Sequence, residues 1–127
     1  TATTEIYTLS LHDALPISFA RVERDANLQL VVAVDGEGAV VGCLQLAVLP
    51  GISSQGSSRG LLEDVRVAKY CRSRGIGELL VQWAVTEARA QGCTLVELLT
   101  HHTRVDAQRF YERLGFARSH LGMTLRF

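Results

Sequence analysis

The sequence predicts an α/β fold, built on a mixed, mostly antiparallel sheet with a central parallel strand pair and flanking helices. Two observations predict this fold. First, the β-branched runs 28–34 and 39–48 flank the turn sequence DGEG at 35–38, which is typical of an antiparallel hairpin. Second, the run 61–67, a long amphipathic segment and another apolar run follow one another in that order. A strand, a crossover helix and a strand imply a parallel pair with a right-handed connection.

The long amphipathic segment is predicted to be a helix from Ile76 to about Ala90, because its apolar residues recur with the helical period. The pair Gln91-Gly92 ends this helix in the usual way. A short apolar strand, buried within the sheet, is then expected at 94–99.

Shorter patterns predict the other elements. Pro50 and Gly51 stop the second strand, and the polar stretch after them is expected to be a flexible loop. Gly115 stops the last helix. The predicted ranges are 19–25 for a weak helix, 53–60 for the loop, 104–114 for the last helix and 116–127 for one or two closing strands.

Composition and charge indicate a single globular domain. The 127 residues are enough for one domain with a real core, and a hydrophobic content of 47% argues against disorder. Thirteen basic and thirteen acidic side chains leave no net charge, which disfavours a general nucleic-acid binder. No apolar run reaches the roughly 18 residues of a membrane span. We therefore expect neither a nucleic acid nor a membrane among the partners.

The cysteines are three in number, widely spaced, and form no Cys-x-x-Cys pair. This pattern predicts neither a disulfide framework nor a zinc site, and we expect no metal. Reduced thiols in a cytoplasmic protein are the favoured interpretation of Cys43, Cys71 and Cys93.

Residues 7–17 resemble the translation of a sequencing-library adapter, as found in assembled environmental (metagenomic) DNA. The alternative is an ordinary strand followed by a turn. We favour the first interpretation, in which residues 1–17 are a non-native leader and the single domain is 18–127. The native first strand and first helix would then be missing, and His12 and Asp13 receive no catalytic role.

The segment 72–77, with the sequence RSRGIG, joins the run 61–67 to the long helix. Its glycines allow a tight turn whose N–H groups can point at one anion, at the positive end of the helix dipole. It is not a P-loop, because Glu78 and Leu79 stand where Lys and Ser or Thr are needed. It is not a dinucleotide fingerprint either, because Leu80 stands where a third small residue is needed. The segment predicts a phosphate or pyrophosphate site, with a plain turn as the alternative.

A second motif lies downstream, where residues 107–116 are AQRFYERLGF. Together, in this order and at this separation, the two motifs resemble those of the GNAT superfamily of N-acetyltransferases. The resemblance runs from about Phe19 to Phe127 and is strongest from Leu61 to Phe116. Within the superfamily, the sequence resembles small-amine acetyltransferases, including enzymes that acetylate aminoalkylphosphonates.

The resemblance implies acetyl-CoA (coenzyme A) as co-substrate and a small-molecule amine as acceptor. The strand would offer main-chain groups to the pantetheine arm, and the turn would hold the pyrophosphate mostly through N–H groups. The implied coenzyme-binding residues are Val65, Arg66 and Val67 on the strand, and Arg72, Arg74, Gly75, Ile76 and Gly77 in the turn. Arg104 stands where the family often has an Asn that bonds the pantetheine, which puts that contact in doubt.

Tyr111 is the expected general acid, because the pKa of a thiol, about 8.5, and that of tyrosine, about 10, allow proton transfer to the departing thiolate. The alternative is an ordinary core tyrosine. The amine must lose a proton before it attacks, and Glu63 is the first candidate base, on the strand face of Val65 and Val67 if no bulge intervenes. Asp64 is the second candidate, since a bulge would exchange their faces, and water alone is a further alternative.

His101 and His102 follow the strand that is expected to form the far wall of the cleft. They are candidate base or substrate contacts, with a solvated loop as the alternative.

Two functions are carried forward: an N-acetyltransferase that acts on a small-molecule primary amine by direct attack, and a catalytically impaired acyl-CoA-binding domain with a regulatory or no enzymatic role. Protein acetylation is disfavoured because no peptide-binding extension is visible. The closing strands could pair across a homodimer.

Overall fold

The computed structural model describes residues 4–8 and 17–127, and it confirms the predicted α/β class. The strands are β1 Glu5–Thr8, β2 Leu28–Val34, β3 Val40–Leu49, β4 Ser58–Val67 and β5 Cys93–Leu98. The helices are α1 Ile17–Arg24, α2 Ser53–Gly56, α3 Ile76–Ala90 and α4 Val105–Arg113, with a 3₁₀ turn at Lys69–Cys71.

The described strands form one five-stranded sheet in the order β1-β2-β3-β4-β5. The first three pairings are antiparallel and the last, β4 with β5, is parallel. The β2–β3 hairpin turns where the sequence predicted, and Asp35 stabilises it by accepting hydrogen bonds from two backbone N–H groups of the turn through its carboxylate. Helix α3 is the crossover between the two parallel strands, which confirms the predicted unit.

The core lies between the sheet and α3. Leu80 and Ala84 of the helix are fully buried, as are Leu44 and Leu46 of β3. Gly60 allows the close approach, because a Cβ there would stand 3.1 Å from the Cβ of Ala88. The apolar stripe predicted from the sequence is therefore the face of α3 that packs on the sheet.

Three predicted elements differ from the structure. The stretch 53–60 is not a flexible loop: it holds one turn, α2, in which Ser54 and Gln55 have left-handed backbone, and β4 already begins at Ser58. The strand β5 is not buried, since Thr94, Leu95 and Glu97 are exposed and its other three residues are only half-buried. Residues 117–127 form no strand, because no neighbouring backbone in the described part of the chain pairs with them.

The strand β1 pairs with β2 at an edge of the sheet, from Glu5 with Val34 to Thr8 with Val31. The structure therefore has a strand, β1, and a helix, α1, in the region where the native first strand and helix were predicted to be missing. A strand in this region was the alternative interpretation. Residues 9–16, with His12 and Asp13, lie outside the described residues. The origin of residues 1–17 stays a prediction. No helix in the described part of the chain is both long enough and apolar enough to cross a membrane.

Candidate active site

The turn that precedes α3 has the backbone geometry of an anion site. Ser73 has φ 64° and Gly75 has φ 80°, whereas Arg74 between them is not left-handed. Residues that alternate in the sign of φ point successive N–H groups into one concavity, as in the nests that bind phosphates. Gly75 is also the residue immediately before the first turn of the helix.

From Ser73 onward, the N–H groups of this turn have no protein acceptor among the residues that the structure describes. The backbone hydrogen bonds nearby are those from Arg72 to Lys69 and from Leu79 to Gly75. Residues 73–78 donate to no backbone carbonyl in the described part of the chain, and no side chain caps the helix. Six consecutive donors at the positive end of a helix of 15 residues are therefore available to a ligand.

The two glycines of the turn are needed for different reasons. At Gly75 nothing lies within 4 Å of an added Cβ, so the positive φ is what favours glycine. At Gly77 the backbone is ordinary, but an added Cβ would stand 3.2 Å from Cζ of Phe110 on α4. Gly77 therefore lets α4 pack against the first turn of α3, which connects the two sequence motifs in space.

Charged side chains around the turn also favour an anion. Arg72 and Arg74 are exposed, and no ion pair joins either to a carboxylate among the residues described. Glu78, which would repel phosphate, accepts a hydrogen bond of 3.1 Å from Nε2 of Gln82 one turn farther along the helix. That bond draws the carboxylate away from the helix N-terminus.

A split in the sheet lies next to the turn. The ladder between β4 and β5 ends at the pair Leu62–Leu98, but β4 continues to Val67. The backbone of residues 63–67 on that side consequently has no strand partner in the described structure. Val65 and Val67 are half-buried against the core and Arg66 is exposed. Their backbone is thus open to an extended ligand that adds to the sheet like a strand.

A bulge in β4 changes the predicted face of the candidate bases. Gln45 of β3 pairs with Glu63 and Cys43 pairs with Arg66, so β4 has one extra residue here. Asp64, with φ 52°, is in the bulge. Glu63 therefore does not share a face with Val65 and Val67, contrary to the prediction made for an unbulged strand. The structure thus contains the bulge that the alternative prediction considered for Glu63 and Asp64.

A cavity of about 400 Å³ lies at the split. Its walls are Leu61, Leu62, Glu63 and Asp64 of β4, together with Leu99 just beyond β5. The structure therefore brings both predicted bases to one cavity at the point where the sheet opens. Nε2 of Gln45 donates a hydrogen bond of 3.4 Å to Oε2 of Glu63, which holds that carboxylate from β3.

Tyr111 lies on α4, half-buried among aromatic rings. Its ring makes edge-to-face contacts with Phe110 and Phe116, at centroid distances of 5.1 Å and 5.7 Å. Burial raises the pKa of Tyr111, and the charge of Arg104 lowers it by less. The phenol is consequently neutral at physiological pH and carries a proton to donate. It is not among the residues that line the cavity at the split.

Arg104 is exposed at the start of α4 and its positive charge reaches Tyr111. His101 and His102 are exposed and their rings stack at 4.4 Å. Nδ1 of His101 lies 2.8 Å from Oγ1 of Thr103, and the carbonyls of both histidines accept hydrogen bonds from Gln108. These contacts hold the loop of residues 101–103 in place. Neither histidine lines the cavity.

Sequence reasoning missed two polar residues of this region. Gln45 was assigned only to a strand, although the alternation of β3 puts it on the face opposite Leu44 and Leu46. Thr100 follows Leu99, and its Oγ1 is buried without a hydrogen-bond partner among the residues described. Alternation could have identified Gln45, but no local signal marks Thr100. In the described part of the chain, no group of three or more His, Cys, Asp or Glu residues is placed to hold a metal ion.

Comparisons with known proteins agree with this geometry. The model of the acetyltransferase (GNAT) family matches residues 2–116. The aminoalkylphosphonate N-acetyltransferase of Salmonella typhimurium is 34% identical over 113 residues, which are 89% of this chain and 72% of that protein. The glucosamine 6-phosphate N-acetyltransferase of Trypanosoma brucei brucei is 34% identical over 79 residues, 62% of this chain and 52% of that protein.

A solved structure is also similar. A transcriptional regulator from Bacillus halodurans C-125 is 44% identical and superposes with a TM-score of 0.84, over 89% of this chain and 77% of that one. The family match covers both the turn of residues 72–77 and the split sheet. Together these findings show that the chain belongs to the GNAT family of acetyltransferases.

Proposed function

We propose that this chain transfers an acetyl group from acetyl-CoA to a primary amine of a small molecule by direct attack. The observation that carries the proposal is the turn of residues 72–77, whose N–H groups from Ser73 onward have no hydrogen-bond acceptor in the described part of the chain and lie at the start of α3. A hydrogen bond to a charged group contributes about 1.5–3 kcal/mol net. Four or five such bonds to a pyrophosphate supply most of a micromolar affinity, which is about 8 kcal/mol.

The rest of the coenzyme follows the sheet in this proposal. The unpaired edge of Val65, Arg66 and Val67 takes the pantetheine arm as an added strand, which brings the thioester to the cavity at the split. Arg104, at the start of α4, is the proposed replacement for the family's usual Asn at the pantetheine. Arg72 and Arg74 assist at the phosphates as mobile cations.

The acceptor must be a neutral amine. A lysine-like amine with a pKa near 10.4 is neutral in only about one molecule in 2,500 at pH 7. Glu63 takes that proton, directly or through water, and is the proposed base because Gln45 holds it beside the cavity. Asp64, at the bulge of the same cavity, is the alternative base.

The nitrogen then attacks the carbonyl carbon of the thioester. A C–N bond forms, the C–S bond breaks, and the departing thiolate takes a proton from the hydroxyl of Tyr111. The nitrogen loses its second proton to water as the amide forms, and a proton from water restores the phenol of Tyr111. The products are the N-acetylated amine and the free thiol of coenzyme A. Two relatives support a small amine as acceptor, since their names denote aminoalkylphosphonates and glucosamine 6-phosphate.

Tyr111→Phe tests the chemical step. We expect kcat with a panel of small amines to fall by about 10²-fold or more, the usual size of a general-acid contribution, with KM for acetyl-CoA little changed. Stability should be preserved, because the hydroxyl makes no hydrogen bond within the described structure. Thiol release from acetyl-CoA measures the rate, and Phe116→Tyr, which adds a hydroxyl elsewhere in the aromatic cluster, is the control. An unchanged kcat in Tyr111→Phe would remove Tyr111 from the reaction.

A second candidate is an acyl-CoA-binding domain with a regulatory role. The similarity to a protein described as a transcriptional regulator favours it. Coenzyme binding does not separate the two candidates, because both use the turn. Amine-dependent thiol release does: tight binding of acetyl-CoA without turnover on any amine would favour the regulatory domain.

We also propose that residues 1–17 are a leader foreign to the domain and that the protein acts in the cytoplasm as a homodimer. The free cysteines support the compartment, since all three are unpaired. The coding DNA tests the leader, because codons unlike those of a sequencing adapter would refute it.

A further inference from the structure

The hydroxyl of Thr100 is buried but makes no hydrogen bond within the described part of the chain. No other buried side-chain nitrogen or oxygen among the described residues lacks a partner. A buried hydroxyl that is left unpaired lowers the stability of a fold, and most buried polar atoms in proteins are bonded. The exception at Thr100 therefore indicates a role other than folding.

Thr100 lies just beyond β5, on the side of that strand that faces α3. Val96 and Leu98 pack against the core on this side, and an extended backbone points Thr100 the same way. Leu99, which is 73% exposed, points to the opposite side and forms a wall of the cavity. Thr100 is therefore on the same side of the sheet as the turn that precedes α3.

Thr100 also lies beside the split between β4 and β5. The parallel ladder ends at the pair Leu62–Leu98, so Thr100 is level with the bulge at Asp64, two residues farther along both chains. The backbones of β4 and β5 no longer pair at this level, and β5 itself has ended. A ligand that adds to the unpaired edge of β4 consequently meets a side chain, and not a strand, on its other side.

Hydrogen bonds from α4 fix the chain that follows Thr100. Nε2 of Gln108 donates to the carbonyls of His101 and His102, at 3.2 Å and 3.0 Å. Nδ1 of His101 lies 2.8 Å from Oγ1 of Thr103, which closes the loop. The backbone at Thr100 is therefore held before a ligand arrives, and a bond to its hydroxyl costs little ordering of the protein.

We propose that Thr100 is a further coenzyme-binding residue, whose hydroxyl bonds an amide group of the pantetheine arm inside the split. This assignment rests on the proposed function, in which the arm runs from the turn before α3 through the split to the cavity. The unpaired edge of β4 bonds one side of the arm and Thr100 bonds the other. A hydroxyl suits this position because it can donate to an amide carbonyl or accept from an amide N–H.

Thr100→Val tests the assignment, because it removes the hydroxyl and nearly keeps the shape. We expect the affinity for coenzyme A to fall about tenfold, since an amide of the arm loses its partner. The thermal stability of the coenzyme-free chain should not fall, because the hydroxyl has no partner to lose. Thr100→Ser, which keeps the hydroxyl, should retain most of the affinity. Titration calorimetry and thermal unfolding of the full chain measure these effects.

Two controls make the test specific for the pantetheine arm. Thr94→Val makes the same change at the other end of β5, where Oγ1 of Thr94 donates to Oγ of Ser57 at 3.2 Å, and it should bind coenzyme A normally. ADP has a diphosphate but no pantetheine, so Thr100→Val should bind it as the unsubstituted chain does.

Three results would overturn the assignment of Thr100 alone: unchanged affinity for coenzyme A in Thr100→Val, an equal loss of affinity for ADP, or a less stable coenzyme-free variant. Failure of the unsubstituted chain to bind coenzyme A would instead overturn the proposed function, and the assignment with it.

Discussion

At Gly75 a single backbone angle gives the turn the shape that the proposed ligand requires. The φ of 80° lets the N–H groups of the turn converge, and no side chain occupies the space beside it. An L-residue there costs about 1–2 kcal/mol, except that Asn and Asp tolerate the left-handed region better than others. The position can therefore be changed in charge with little change in shape.

Gly75→Asp should weaken the binding of coenzyme A at least tenfold, because a carboxylate would face the diphosphate. Gly75→Asn is the matched control, with nearly the same shape and no charge, and we expect it to bind much better than the Asp variant. Titration calorimetry measures both affinities. Equal affinities in the two variants would show that the diphosphate does not lie at this turn.

The half-buried side chain of Tyr111 leads to a prediction about stability at alkaline pH. Its pKa is raised from about 10 by burial, so the folded state holds the phenolic proton more tightly than the unfolded chain does. The resulting stabilisation is complete below pH 10 and is lost as the pH rises through the folded pKa. Urea unfolding should therefore show that the free energy of unfolding falls above pH 10 and falls less in Tyr111→Phe.

The thiols of Cys43 and Cys93 also have raised pKa values through burial, and they contribute to alkaline unfolding. They are present in both the unsubstituted chain and Tyr111→Phe. The difference between the two curves consequently isolates the phenol. A difference that does not vary with pH would contradict the burial of this hydroxyl.

Among the elements, the bulged strand β4 decides which side chains meet in the cleft. The extra residue at the bulge turns Glu63 towards Gln45 and leaves Val67 facing Gly77 of α3. Asp64 occupies the left-handed backbone that makes this possible. The strand thus serves the core on one face and the cavity on the other.

Asp64→Val should destabilise the fold by about 1–3 kcal/mol, because a β-branched residue is strained at this φ. Asp64→Gly should keep the bulge and stay near the stability of the unsubstituted chain. Asp64→Asn keeps the shape and removes the carboxylate, so its activity reports on the alternative base. Urea unfolding and thiol release are the measurements, and a Val variant as stable as the Gly variant would be inconsistent with the bulge.

Elements with a strong hydrophobic periodicity could be predicted from the sequence, whereas features that depend on strand pairing could not. The helix from Ile76 to Ala90 is confirmed at both ends, because its apolar stripe and the glycines beside it are local signals. The bulge at Asp64 has no such signal, since it depends on the register of β3 against β4. For the same reason the sequence named both candidate bases but left the face of Glu63 dependent on whether β4 contains a bulge. Residues 117–127 have the alternating sequence pattern of a strand, but a strand also needs a neighbouring strand to pair with, and the sequence pattern does not show whether one is present.

On the scale of the whole molecule, one core carries the stability and the site is built at its edge. The fully buried side chain of Leu80 packs against the sheet, and a Cβ at Gly42 would meet its Cδ1 at 3.0 Å. The turn with the free N–H groups begins the same helix. Anything that binds the turn should therefore stabilise the entire fold.

Leu80→Ala should lower the free energy of unfolding by about 2–5 kcal/mol. Coenzyme A at about a hundred times its dissociation constant should restore about 2.7 kcal/mol, because it binds only the folded state. Leu79→Ala is the control, since that side chain is adjacent but partly exposed, and its effect should be much smaller. Thermal unfolding with and without coenzyme A measures both effects, and equal losses in the two variants would contradict the assigned core.

The parallel ladder sets an order of events for a newly synthesised chain. The hairpin of β2 and β3 joins residues close in sequence, so it can form early. The ladder that joins Ser58 to Cys93 must await the whole of α3. Until that late closure, the polypeptide has neither the split between β4 and β5 nor a wall beside it, so the cleft is among the last features to mature.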